Sequence, residues 1–117
     1  MFKRIGVVSR LDVDEAIKLS NKVLNFLSKK GLEVILEEQL AKTLGLNSGA
    51  PLNKLNADLI LTIGGDGTIL KTCMNIPNPE TPILSVDMGR RGYLTEVPPE
   101  HTLDAIEDCL AGKYKIE

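Results

Sequence analysis

Leu59-Ile60-Leu61-Thr62-Ile63-Gly64-Gly65-Asp66-Gly67-Thr68 is the stretch on which the reading of this chain turns. Five apolar or β-branched residues in a row fit a strand buried on both faces, as in a parallel sheet. A helix is expected directly after it, from Thr68 to Met74 and ending near residue 75. Between them lie three glycines, Gly64, Gly65 and Gly67, around one carboxylate, Asp66. Glycines there permit φ > 0 and let a ligand come close to the main chain. The helix start offers unpaired N–H groups and the positive end of a dipole, which suit phosphate. The turn therefore reads as a nucleotide or phosphate site. Asp66 is too negative to be one more phosphate donor. It fits a group that takes a proton or hydrogen bond from a substrate hydroxyl, or one that helps hold a metal ion. Plain helix capping is the structural alternative for Asp66. Thr68 either donates to a phosphate or caps the helix.

Outward from this turn the periodicities alternate. Residues 3–8 read as a short buried strand. Asp12 with Glu15 three positions on has the form of a capping box, opening a helix over 13–30 with Val13, Ala16, Ile17, Ser20, Val23, Leu24 and Leu27 on one face. Gly31 suits the C′ position that ends it. Residues 32–36 read as a second strand, 37–44 as a short helix, and 45–56 as a long loop, either mobile over a ligand or an ordinary connection. The central strand spans 58–63. Residues 75–82 are a turn-rich connector, 83–86 a fourth strand, and 99–111 a last helix ended by Gly112. Strand and helix thus alternate, which predicts an α/β domain: an open, mainly parallel sheet with helices on both faces. In such sheets ligands bind beyond the carboxyl ends of the strands. If the strands at 58–63 and 83–86 are neighbours, the loops that follow them face one crevice.

Composition narrows the function. The formal net charge is −2 with mixed signs, and the basic residues are scattered, with Lys3-Arg4, Lys29-Lys30 and Arg90-Arg91 as adjacent pairs, so no nucleic-acid partner and no anionic membrane is expected. Aromatic residues are 3% of the chain and Trp is absent, which argues against base-stacking platforms. No apolar run is long enough for a membrane span, the start has no signal-peptide pattern, and a cytoplasmic location is expected. Cys73 and Cys109 have no metal-ligand spacing and read as small core hydrophobes on helix faces. His101 reads as a surface residue. Lys29-Lys30 fits a helix C-terminus, where cations suit the dipole. No protein-held metal site is expected.

Gly64-Gly65-Asp66-Gly67 resembles the signature of the NAD kinases, and the turn is shared with diacylglycerol kinases, sphingosine kinases and phosphofructokinases. A second block, Pro82-Ile83-Leu84-Ser85-Val86-Asp87-Met88-Gly89-Arg90-Arg91-Gly92-Tyr93-Leu94-Thr95-Glu96-Val97, is similar to the block that follows it in the NAD kinases. Two blocks in the right order are far more specific than the glycine run alone. The resemblance implies a Rossmann-like, phosphofructokinase-like N-terminal domain over residues 1–112, with 113–117 opening the connection to a β-rich C-terminal domain. It implies phosphoryl transfer from ATP or inorganic polyphosphate, with Mg²⁺, to the 2′-hydroxyl of the adenosine ribose of NAD, giving NADP. Asp66 would be the base.

Under the same resemblance Asp87, Gly89, Arg90, Gly92 and Tyr93 line the NAD pocket, and Ser9 and Arg10, at a strand end, contact nucleotide phosphate. Three positions depart from the family pattern: Ser85 where Gly is common, Asp87 where Asn is common, and Tyr93 where Phe is usual. Asp87 then faces a ribose hydroxyl, a cation or Arg90. Tyr93 is either a site residue or a core filler, and Arg90-Arg91 either holds phosphates or is a solvated pair. Residues 6–11 hold one glycine and no Gly-x-Gly-x-x-Gly, so a standard dinucleotide turn is not expected there. With only the front half of such an enzyme in view, the chain alone is expected to fold, to turn over little, and to expose an apolar patch. A homo-oligomer is expected of the longer protein. A lipid or sugar kinase of the same superfamily and a non-catalytic nucleotide-binding module are the rival readings.

Overall fold

Four strands and four helices follow one another in the computed structural model, which describes residues 2–88 and 99–112. They are β1 (Arg4–Ser9), α1 (Asp14–Lys29), β2 (Glu33–Leu36), α2 (Glu38–Thr43), β3 (Leu59–Gly64), α3 (Asp66–Asn75), β4 (Ile83–Asp87) and α4 (Thr102–Leu110). Short 3₁₀ turns at Leu52–Lys54 and Pro99–His101 precede β3 and α4. The strands form one sheet in the order β2-β1-β3-β4, and every pairing is parallel. That is the α/β architecture expected from the alternation of periods.

All six residues of β3 are buried, because β1 and β4 flank it and both of its faces are covered. Side chains alternate across each strand. Ile5, Val7, Leu59, Leu61, Ile63, Leu84 and Val86 join one core with Ala16, Val23 and Leu27 of α1, Leu40 and Ala41 of α2, and Ala105, Ile106 and Cys109 of α4. Val8 and Ile60 point the other way, into a smaller core with Leu52, Leu55 and Ile76. Each fully buried Leu or Ile contributes about 1.5–3 kcal/mol relative to an exposed one. Lys30 reaches Glu107 at 2.7 Å, tying the end of α1 to α4.

Gly31 and Gly112 follow α1 and α4 with φ of 78° and 77°, the left-handed conformation expected of a C′ glycine. The expected cap of α1 is different. Val13 is the N-cap residue and no side chain caps the helix. Asp12 is drawn instead to the guanidinium of Arg10, whose planar fork satisfies both carboxylate oxygens.

Residues 45–56 are also more ordered in their packing than an open loop. Ala50 pairs with Leu36 and Glu37, and Leu52 and Leu55 fill the second core. Cys109 is buried as expected, but Cys73 is exposed. Helix α3 turns Thr72 and Ile76 inward, which rotates the adjacent Cys73 out. His101 is exposed. Leu70 and Met74 stand at 61% and 74% exposure, four residues apart on the outer face of α3. No helix among the described residues is long and apolar enough to cross a membrane.

Candidate functional site

The order β2-β1-β3-β4 places a switch point between β1 and β3. From β1 the chain moves outward to β2, then returns to the other side of β1 to lay down β3. Loops leaving the carboxyl ends of β1 and β3 therefore diverge and leave a crevice, the usual ligand position in open parallel sheets. A cleft of about 550 Å³ occupies that place. Ser9, Arg10 and Asp12 border it from the end of β1, Glu37 and Gln39 from the end of β2, and Gly65, Asp66, Gly67, Thr68 and Lys71 from the end of β3 and from α3.

The glycine turn works by proximity rather than by left-handed backbone. None of Gly64, Gly65 and Gly67 has positive φ, and Gly65, the N-cap of α3, is extended at φ −140° and ψ −159°. This corrects one of the two expected reasons for glycine, the left-handed backbone. A Cβ on Gly64 would lie 2.9 Å from Thr68 Cβ and closer still to its hydroxyl oxygen. A Cβ on Gly65 or Gly67 would meet nothing within 4 Å, so both leave open room beside the cleft.

Asp66 is the first residue of α3, is exposed, and caps nothing. Among the described residues its carboxylate has no hydrogen-bond or ion-pair partner. Thr68 does not cap either, since α3 has no side-chain cap bond. Half-buried, it lies against Gly64 and borders the cleft. The first turn of α3 thus keeps free N–H groups and a dipole end beside an unengaged carboxylate.

Arg10 stands in the cleft, but it is engaged. Its Nε donates to Asp12 Oδ1 at 2.8 Å and its terminal nitrogen to Oδ2 at 2.9 Å. The guanidinium draws the Asp12 carboxyl down to about 2 from its ordinary 3.8, chiefly through the hydrogen bond. Asp12 in turn raises the pKa of Arg10.

Asp87 ends β4 and is buried, paired in register with Gly64. The amide of Met88 donates to the Gly64 carbonyl at 2.7 Å, so the carboxyl ends of β3 and β4 are neighbours. Asp87 is not among the residues bordering the β1–β3 cleft. Gly89, Arg90, Gly92 and Tyr93 lie outside the described residues.

Glu37 and Lys71 are among the cleft residues that escaped the sequence reading. Glu37 is buried and accepts from the amides of Gln39 at 3.0 Å and Leu40 at 3.2 Å, capping α2. A carboxylate directly after a strand was the available signal. Lys71 is exposed one turn beyond Gly67, and its i, i+4 spacing from that glycine was the signal. Among the described residues, no group of three or more His, Cys, Asp or Glu is placed to hold a metal ion.

The sequence matches the family described as the ATP-NAD kinase N-terminal domain over residues 5–114. It is 43% identical over 116 residues to the NAD kinase of Methanothermobacter thermautotrophicus, covering 97% of this chain and 41% of that protein. Identity to the NAD kinase of Methanosphaera stadtmanae is 40% over 116 residues, covering 97% and 42%. The crystal structure of yeast NADH kinase complexed with NADH is similar at a TM-score of 0.80 and 18% identity, covering 95% of this chain and 38% of that one. That likeness speaks for the fold. The chain spans about two fifths of the length of the curated relatives it matches. With the glycine turn, the parallel sheet and the match over residues 5–114 in agreement, the chain belongs to the NAD kinase family as its N-terminal domain.

Proposed function

We propose that the protein carrying this chain transfers a phosphoryl group from ATP or inorganic polyphosphate to the 2′-hydroxyl of the adenosine ribose of NAD, giving NADP. The observation that carries this reading is the unengaged carboxylate of Asp66 at the mouth of the β1–β3 cleft. The ribose oxygen attacks the terminal phosphorus and forms a P–O bond. The bond from phosphorus to the leaving phosphate oxygen breaks, and the hydroxyl proton passes to Asp66. Phosphoryl transfer asks mainly for position and charge neutralisation. Gly65 and Gly67 leave space for phosphate, and Gly64 lets Thr68 close the turn.

Asp66 and the hydroxyls of Ser9 and Thr68 are hard oxygen donors, which suit Mg²⁺ bound mainly through substrate phosphates. When bound, Mg²⁺ neutralises charge developing on those phosphates. Arg10 contributes to the donor side, and Asp87, Gly89, Arg90, Gly92 and Tyr93 to the NAD side. The two fifths of the relatives' length present here fits a chain that, alone, turns over weakly or not at all. Self-association of the longer protein and a cytoplasmic location belong to the same reading.

The test is NADP formation by the full reading frame, with ATP and polyphosphate as donors and Asp66→Asn beside the parent. Activity in the parent and a fall of roughly 10²-fold or more in the variant are expected. No NADP from a folded parent overturns the assignment, and lipid and sugar acceptors are then tried in its place.

A further inference from the structure

The charges around the cleft are unevenly committed. Among the described residues its titratable lining consists of Arg10, Asp12, Glu37, Asp66 and Lys71. Both oxygens of Asp12 are taken by Arg10, and both oxygens of Glu37 are taken by amides of α2. Asp66 and Lys71 remain without partners among the described residues. Both stand on α3, with Lys71 four residues, about 6 Å along the axis, beyond Gly67 and on the same face.

From this we infer that Lys71 holds the phosphate chain of the phosphoryl donor. The inference rests on the reading of the cleft as a phosphoryl-transfer site and adds to it a specific cation. A triphosphate brings several negative charges to a cleft where, among the described residues, three carboxylates stand against two cations. The charge of Arg10 is offset by its pairing with Asp12, so Arg10 alone does not balance the donor and a further cation is called for. Lysine binds phosphate as a mobile point charge and needs no fixed fork. Gly65 and Gly67, where an added Cβ would meet nothing within 4 Å, border the same cleft as Lys71. A donor whose terminal phosphate sits by Asp66 runs its remaining phosphates along that cleft to the ammonium. ATP and inorganic polyphosphate share this chemistry, and adenine plays no part in it.

The experiment compares parent, Lys71→Gln and Lys71→Arg in the full-length protein. It measures KM for ATP, for tripolyphosphate and for NAD, and direct binding of ATP and tripolyphosphate by calorimetry. Lys71→Gln is expected to weaken both donors by about 10-fold or more, the size of one lost charge-assisted contact, and to leave the KM for NAD within about twofold. Lys71→Arg is expected to recover most of the loss. The exposed side chain predicts unchanged thermal unfolding in both variants. Donor binding that is equal in parent and Lys71→Gln overturns the inference, as does a loss confined to NAD. Loss for ATP alone, with tripolyphosphate untouched, also overturns it, because the contact is then not to the phosphates. A parent that binds donor through Lys71 but makes no NADP upholds the inference and removes the NAD assignment. A parent that binds neither donor removes both.

Discussion

Thr68 lies directly against Gly64, close enough that no Cβ fits between them. The residue before the turn and the third residue of α3 thus fix the angle at which the helix leaves the sheet. Gly64 also pairs with Asp87 of β4 at the last rung of β3, and its carbonyl accepts from Met88. Gly64→Ala is expected to push Thr68 and the first turn of α3 out of place, to destabilise the fold by about 1–3 kcal/mol, and to lower NADP formation by more than that loss explains. Denaturant unfolding beside kinetics on the folded variant checks it. Equal activity per folded molecule would mean that the turn's geometry is not used.

The Arg10–Asp12 pair sets a pH prediction. A folded pKa lowered to about 2 means that Asp12 contributes stability above its unfolded value near 3.8, lost as pH falls from there through about 2. Between pH 5 and 9 the pair is expected to add no limb to a pH–rate profile. Carboxyl carbon NMR is expected to give Asp12 a midpoint near 2, moved back up in Arg10→Ala.

The two cysteines are expected to separate chemically. Burial, with Asp108 nearby, pushes the Cys109 thiol up to about 11 from 9.0. Its neutral form is favoured by folding, so its contribution is whole below pH 9 and declines as pH rises through about 11. Cys73 is exposed. A thiol reagent at pH 8 should modify one cysteine rapidly in the folded protein and the second only on unfolding. Peptide mapping identifies which.

Glu37 is an unusual helix cap whose longer side chain still reaches two amides of α2. Glu37→Ala is expected to cost about 1–2 kcal/mol in chemical denaturation, and Glu37→Gln less, since it keeps an acceptor oxygen. An Ala variant as stable as the parent would show that the cap carries no net stabilisation.

Much of this was open to reading along the chain. The apolar run at 59–63, the heptad-like face of α1 and the glycines at 31 and 112 are local signals, and the elements formed where they predicted. The exceptions share one cause. Asp12 and Glu15 had the form of a capping box, yet Arg10, two residues away, offered Asp12 a better partner. Cys73 fitted an apolar helix face, yet packing of Thr72 and Ile76 chose another. The glycine turn seemed to need left-handed backbone, whereas Gly64 is required by the approach of Thr68.

Sequence alone determined the alternation of strand and helix, the parallel sheet, the phosphate-suited turn and the carboxylate within it. Those follow from hydrophobic period and backbone sterics, which act between residues near in the chain. Only the tertiary structure decided that β1 and β3 adjoin, that their ends open one cleft, and which of its charges are already spoken for. Among the described residues Arg10 and Glu37 are bound and Asp66 and Lys71 are not, because ion pairing and capping depend on what the fold brings within about 3 Å.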